Sequence, residues 1–65
     1  SNVSSIMYDK TTAQLFVQFD SGRLYRYDQV PRSVATLMFF VNSPGTFVHR
    51  VLKNKYATTE ITGLI

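Results

Sequence analysis

The residues best placed to do chemistry in this sequence are cations, and they are unevenly spread. Lys10, Arg23 and Arg26 are matched by Asp9, Asp20 and Asp28 within residues 1–31, whereas Arg32, Arg50, Lys53 and Lys55 face only Glu60 across residues 32–65. The second half therefore carries the whole net charge of +3. A one-sided positive field suits a nucleic acid or another anionic partner, and it equally describes the solvated face of a helix. Arg50 and Lys53 are three residues apart, neighbours on a helix, and at that spacing they would bracket a phosphate. His49 precedes them and Lys55 follows. Ser43 stands before Pro44 as a helix-start signal, its hydroxyl expected to cap free amides at an end that attracts anions. The candidate anion-binding set is Arg50, Lys53, Lys55, His49, Ser43 and Arg32.

Catalytic chemistry is poorly supplied. General acid–base work uses paired carboxylates or a histidine with an orienting partner. Asp9, Asp20 and Asp28 fall where turns and caps explain them, Glu60 lies near the end, and the single histidine reads as a surface residue. There is no cysteine for thiol chemistry or a thiolate metal site, and the three glycines are too scattered for a phosphate loop. The reading is non-enzymatic, with no catalytic residue, no metal and no cofactor.

The elements that must position the cations follow from periodicity. Residues 5–9 are β-rich, and Lys10-Thr11-Thr12 reads as a turn. Residues 14–19 alternate as a strand, with Leu15, Val17 and Phe19 on one side. Asp20-Ser21-Gly22 is turn chemistry, and Leu24-Tyr25-Arg26-Tyr27 is a third strand. A three-residue loop pairs Phe19 with Arg23, Val17 with Tyr25 and Leu15 with Tyr27. That register gathers five large apolar side chains on one face and puts Gly22 where a left-handed residue belongs. Tyr25 and Tyr27 then read as framework under the helices, although they resemble a base-stacking platform. Phe16, Leu24 and Arg26 fall on the opposite face with Met7 beside them, a partner surface if nothing covers it.

Pro31 suits the first turn of a helix over about residues 31–42, with Val34, Leu37, Met38 and Val41 as its apolar stripe and Phe39 as an exposed neighbour. A second helix, about residues 44–54, buries Phe47, Val48, Val51 and Leu52 and presents His49, Arg50 and Lys53. Residues 56–61 read as a last strand. The expected fold is α+β: a three-stranded antiparallel meander, two short helices and a final strand.

The 65 residues fit one domain, 1–65, with residues 1–4 and 62–65 as tails. Ser1-Asn2 lacks an initiating Met and reads as a processing or expression scar. No apolar run approaches the ~20 residues of a membrane span, and no membrane partner is expected. With no cysteine and no signal peptide, the chain reads as cytoplasmic. A chain of this size buries a small core, so a second subunit is a natural support.

Several features stand together in order: Ser5-Ile6 and Tyr8-Asp9, then Leu15, Val17 and Phe19 before the Gly22 turn. Tyr25-Arg26-Tyr27, Val30-Pro31, Ser43-Pro44-Gly45, Phe47-Val48, Leu52 and Tyr56 follow. In this set the chain resembles the KTSC domain, a module of bacterial and viral proteins that also occurs at the C-terminus of some lysyl-tRNA synthetases. The resemblance covers roughly Ser4 to Tyr56 and implies a shared scaffold. Members often carry Asn where His49 stands and a small residue at the position of Val41. Association with a tRNA synthetase implies RNA as a partner, an argument by association. Two readings result. One is a module binding RNA or another nucleotide-type anion through the basic second helix. The alternative is a protein-interaction or self-association module using the Met7, Phe16, Leu24 and Arg26 face.

Overall fold

A computed structural model describes residues 2–64. Four strands form one antiparallel sheet in sequence order: β1 (Val3–Asp9), β2 (Gln14–Phe19), β3 (Leu24–Tyr27) and β4 (Thr58–Glu60). The β3–β4 connection carries helix α1 (Arg32–Phe40) and a helical run over residues 44–55, α2. The expected strand after the helices is present and pairs with β3, Tyr25 opposite Glu60 and Tyr27 opposite Thr58.

The hairpin register is the one the apolar pattern demands. Leu15 pairs with Tyr27 and Val17 with Tyr25, the Phe19 amide donates to the Arg23 carbonyl at 2.9 Å, and Gly22 takes φ +93°. In β1, Val3 and Ile6 both pack against the core although their spacing is odd. A register shift between Val3 and Ser5 reconciles them, since a bulge inserts the one residue needed to keep both on the inner face. The β1–β2 turn is tied by the Asp9 carboxylate, which accepts the Thr11 amide at 2.9 Å. The Tyr8 hydroxyl then donates to the Val30 carbonyl at 2.7 Å, anchoring β1 to the entrance of α1.

Leu15, Val17, Phe19 and Tyr27 of the sheet are buried against Val30, Ala35, Met38, Val48 and Leu52. All the helical core residues lie on this one face, so the opposite face of the sheet has no helix over it.

Four expectations are corrected. Leu37, expected in the α1 stripe, is 54% exposed, as Phe39 is, and Phe40 is exposed further at 79%. The helix instead turns Ala35 and Met38 inward. Pro31 stands at the N-cap rather than in the first turn, its carbonyl accepting the amides of Val34 and Ala35 at 3.0 and 3.1 Å. The Ser43 side chain caps no amide: its hydroxyl shares a 2.8 Å hydrogen bond with that of Thr46. Finally, the positions read as tails are partly ordered. β1 starts at Val3, and residues 62–64 form a 3₁₀ turn in which the Thr62 hydroxyl accepts the Leu24 amide at 2.9 Å. Ser1 and Ile65 lie outside the described residues.

Within α2, residues Val48–Leu52 are π-helical, and the Lys53 amide reaches back to the Val48 carbonyl. Such one-turn widenings recur at functional sites. Here the segment carries His49 and Arg50.

Candidate ligand-binding clefts

The hairpin register builds the floor of the main concavity. Because Phe19, Arg23, Tyr25 and Tyr27 alternate on the inner face, the hairpin end presents an aromatic surface with a cation at its tip. Phe19 and Tyr25 meet edge to face, centroids 5.7 Å apart and rings at 80°. Tyr27 is buried and serves as framework. Burial holds its phenol above the usual tyrosine pKa, with the neighbouring Tyr25 adding to the effect, so it stays neutral. Tyr25 is half-buried and is the aromatic that a ligand can reach. The Arg23 guanidinium donates to the Tyr25 hydroxyl at 3.5 Å and lies 4.0 Å from Glu60. Both groups of that ion pair are exposed, so its attraction is weak and Arg23 stays available to another anion.

Helix α2 supplies the opposite wall. Val48 is buried against the sheet, which turns His49 and Lys53, one turn apart, toward the rim. The resulting aromatic cleft of about 410 Å³ joins Phe19, Tyr25 and Tyr27 to Arg23, His49 and Lys53, with Ser21 and Thr58 at its edges. Small-molecule sites commonly occupy clefts of roughly this size, ~300–1,000 Å³.

Two further concavities flank α2. A polar cleft of about 400 Å³ is lined by Asn2, Asn42, Ser43, Thr46 and again His49, with Val3, Pro44 and Gly45. A shallow apolar groove of about 280 Å³ is lined by Val41, Phe47, Val51 and Arg50, with Ser43 and Thr46 shared with the polar cleft.

The sequence-derived set is therefore divided. His49 and Lys53 meet the aromatics, Ser43 joins His49 in the polar cleft, and Ser43 also borders the apolar groove that Arg50 lines. Arg50 and Lys53 share none of these three concavities. Arg32 and Lys55 are exposed and line none of the three. Arg23 and Tyr25 were outside the expected set. Their signal was the hairpin register, which puts Arg23 on the same face as Tyr25.

On the other face of the sheet, Met7, Phe16, Arg26 and Thr59 line up across four strands. Met7 is 59% exposed, while Phe16, Leu24 and Arg26 are half-buried. Arg26 is spoken for: its guanidinium holds both oxygens of Asp28 at 2.9 and 3.3 Å, and Gln14 donates to the same carboxylate at 3.2 Å. The face is thus an apolar strip beside a neutralised ion pair.

The pattern of the KTSC domain matches residues 1–56. The chain belongs to the KTSC domain family. A crystal structure of a KTSC domain protein from Yersinia pestis superposes with a TM-score of 0.86 at 31% identity, covering 94% of this chain and 86% of that one. A lysine–tRNA ligase of Trichormus variabilis is 31% identical over 62 residues, which span 95% of this chain and 11% of the ligase. An uncharacterized protein of Stutzerimonas stutzeri is 36% identical over 56 residues, covering 86% of this chain and 79% of that protein. The KTSC fold here is the α+β arrangement expected of it. Among the described residues no helix is long and apolar enough to cross a membrane, and no three His, Cys, Asp or Glu side chains gather into a metal-binding group.

Proposed function

We propose that this KTSC domain binds single-stranded RNA, or a nucleotide-type anion of the same chemistry, in the aromatic cleft. One observation carries the reading: Tyr25 and Phe19 line the same concavity as Arg23, Lys53 and His49. Single-stranded nucleic acid is held where aromatics stack on bases and cations follow phosphates. In this arrangement Tyr25 offers its ring to a base, while Lys53 and Arg23 draw the phosphate from opposite walls. His49 adds a ring N–H donor. The lysine–tRNA ligase relatives support an RNA partner, although this chain matches only a small part of them.

The test is fluorescence anisotropy with a short mixed-sequence RNA. Stacking on an aromatic contributes about 1–3 kcal/mol per base, so Tyr25→Ala is expected to weaken binding roughly fivefold to 150-fold, and Tyr25→Phe to stay near wild type. Unchanged affinity in a folded Tyr25→Ala protein would remove the cleft from consideration.

The second reading is self-association through the helix-free face, favoured by the exposure of Met7 beside Phe16. It requires a mass that rises with concentration in light scattering and returns to that of a monomer in Met7→Lys.

A further inference from the structure

Resting on the nucleotide-binding reading, we infer that the two clefts are successive subsites, each taking one nucleotide of a single strand, with the linking phosphate at His49. His49 is the one residue that lines both concavities, so it stands on the divide between them. Each space, about 410 and 400 Å³, is within the range of small-ligand clefts, ~300–1,000 Å³. Their linings differ in a way that assigns the roles. The first is aromatic and basic, suited to a stacked base and its phosphate. The second is lined by amides and hydroxyls, suited to the polar edge of a base. The Ser43 and Thr46 hydroxyls engage each other, and Asn2 and Asn42 are exposed. The side-chain amide of each Asn has two donors and an acceptor to offer. A histidine between the clefts fits the linkage, because imidazole carries at least one N–H donor in either protonation state. Arg50 lines the adjoining apolar groove, which shares Ser43 and Thr46 with the second cleft, and not the two clefts themselves.

The experiment compares AMP with the dinucleotide pApA by amide NMR titration. AMP is expected to shift the amides of Arg23, Tyr25 and Lys53. pApA is expected to shift those and also Asn42, Ser43 and Thr46, and to bind about tenfold more tightly, the equivalent of one or two added hydrogen bonds. Asn42→Ala, an exposed change, should remove most of that advantage and leave AMP affinity unaltered. If pApA shifts the same amides as AMP with equal affinity, or if Asn42→Ala weakens both ligands alike, the two-subsite inference is overturned while the aromatic cleft stands. If neither ligand shifts an amide in either cleft, the nucleotide-binding reading falls and takes this one with it.

Discussion

Exchange of Lys53 and Arg50, which a helical wheel treats as equals, separates a built cleft from a diffuse positive field. Binding to a single strand loses affinity with salt at a logarithmic slope of ~0.7 per phosphate neutralised. Two permanent cations line the aromatic cleft, Arg23 and Lys53, so the slope expected for a short RNA is ~1.4. Between 50 and 200 mM salt this is about a sevenfold loss. If the exposed face as a whole held the RNA, then Arg32, Arg50 and Lys55 would join and the slope would approach ~3.5. Lys53→Gln should lower the slope by ~0.7, and Arg50→Gln should leave it unchanged. The assay is anisotropy across a salt series with one oligonucleotide and three proteins. A wild-type slope above ~2.5, or equal effects of the two substitutions, would refute the assignment to the cleft and restore the helix face as the binding surface.

Three further outcomes test the fold. Leu52 is fully buried and Leu37 is 54% exposed, so Leu52→Ala should cost about 2–5 kcal/mol and Leu37→Ala under about 1 kcal/mol, read from urea midpoints. Equal costs would mean α1 faces the sheet as its periodicity suggests. Gly22→Ala puts a left-handed residue at φ +93° with no atom within 4 Å of the new Cβ. It should therefore lose about 1–2 kcal/mol to backbone strain alone, a Tm drop of roughly 4–16 °C. Tyr27 has a folded-state pKa raised above its unfolded value, so the folded state holds that proton more tightly. Stability is then complete below the ordinary phenol value of ~10 and falls as pH rises through the raised one, by up to about 1.4 kcal/mol per pH unit. Tyr27→Phe should shallow this alkaline limb in denaturant titrations, and an unaltered limb would count against the burial argument.

Much of the sheet was legible because strand patterns carry their own checks. With the Asp20-Ser21-Gly22 turn, a three-residue loop gathers Leu15, Val17, Phe19, Tyr25 and Tyr27 on one face, and that register is observed. The bulge in β1 was also encoded, in the odd spacing of Val3 and Ile6, but a parity clash in one strand does not say which residue is inserted. Helix α1 was harder for a physical reason. The run Leu37 to Val41 is apolar on too wide an arc for periodicity to select a face, and the face that is buried is that of Ala35 and Met38. The π turn has no residue signature. The anion-binding reading centred on the basic second helix, with Arg32 the one member from α1, and that is where it was incomplete. Lys53 and His49 gain meaning by facing Arg23 and Tyr25, some thirty residues earlier in the chain, and their meeting depends on how α2 crosses the hairpin.

The central claim is that Tyr25 stacks on a base between Lys53 and Arg23. The most direct measurement is of intermolecular NOEs between the Tyr25 ring protons and the base protons of a bound short RNA. The cleft predicts strong contacts to the Tyr25 ring and shifts of Lys53 and Arg23 side-chain resonances in the same complex. Contacts confined to Met7 and Phe16 on the opposite face, or a bound RNA with none at Tyr25, would contradict it.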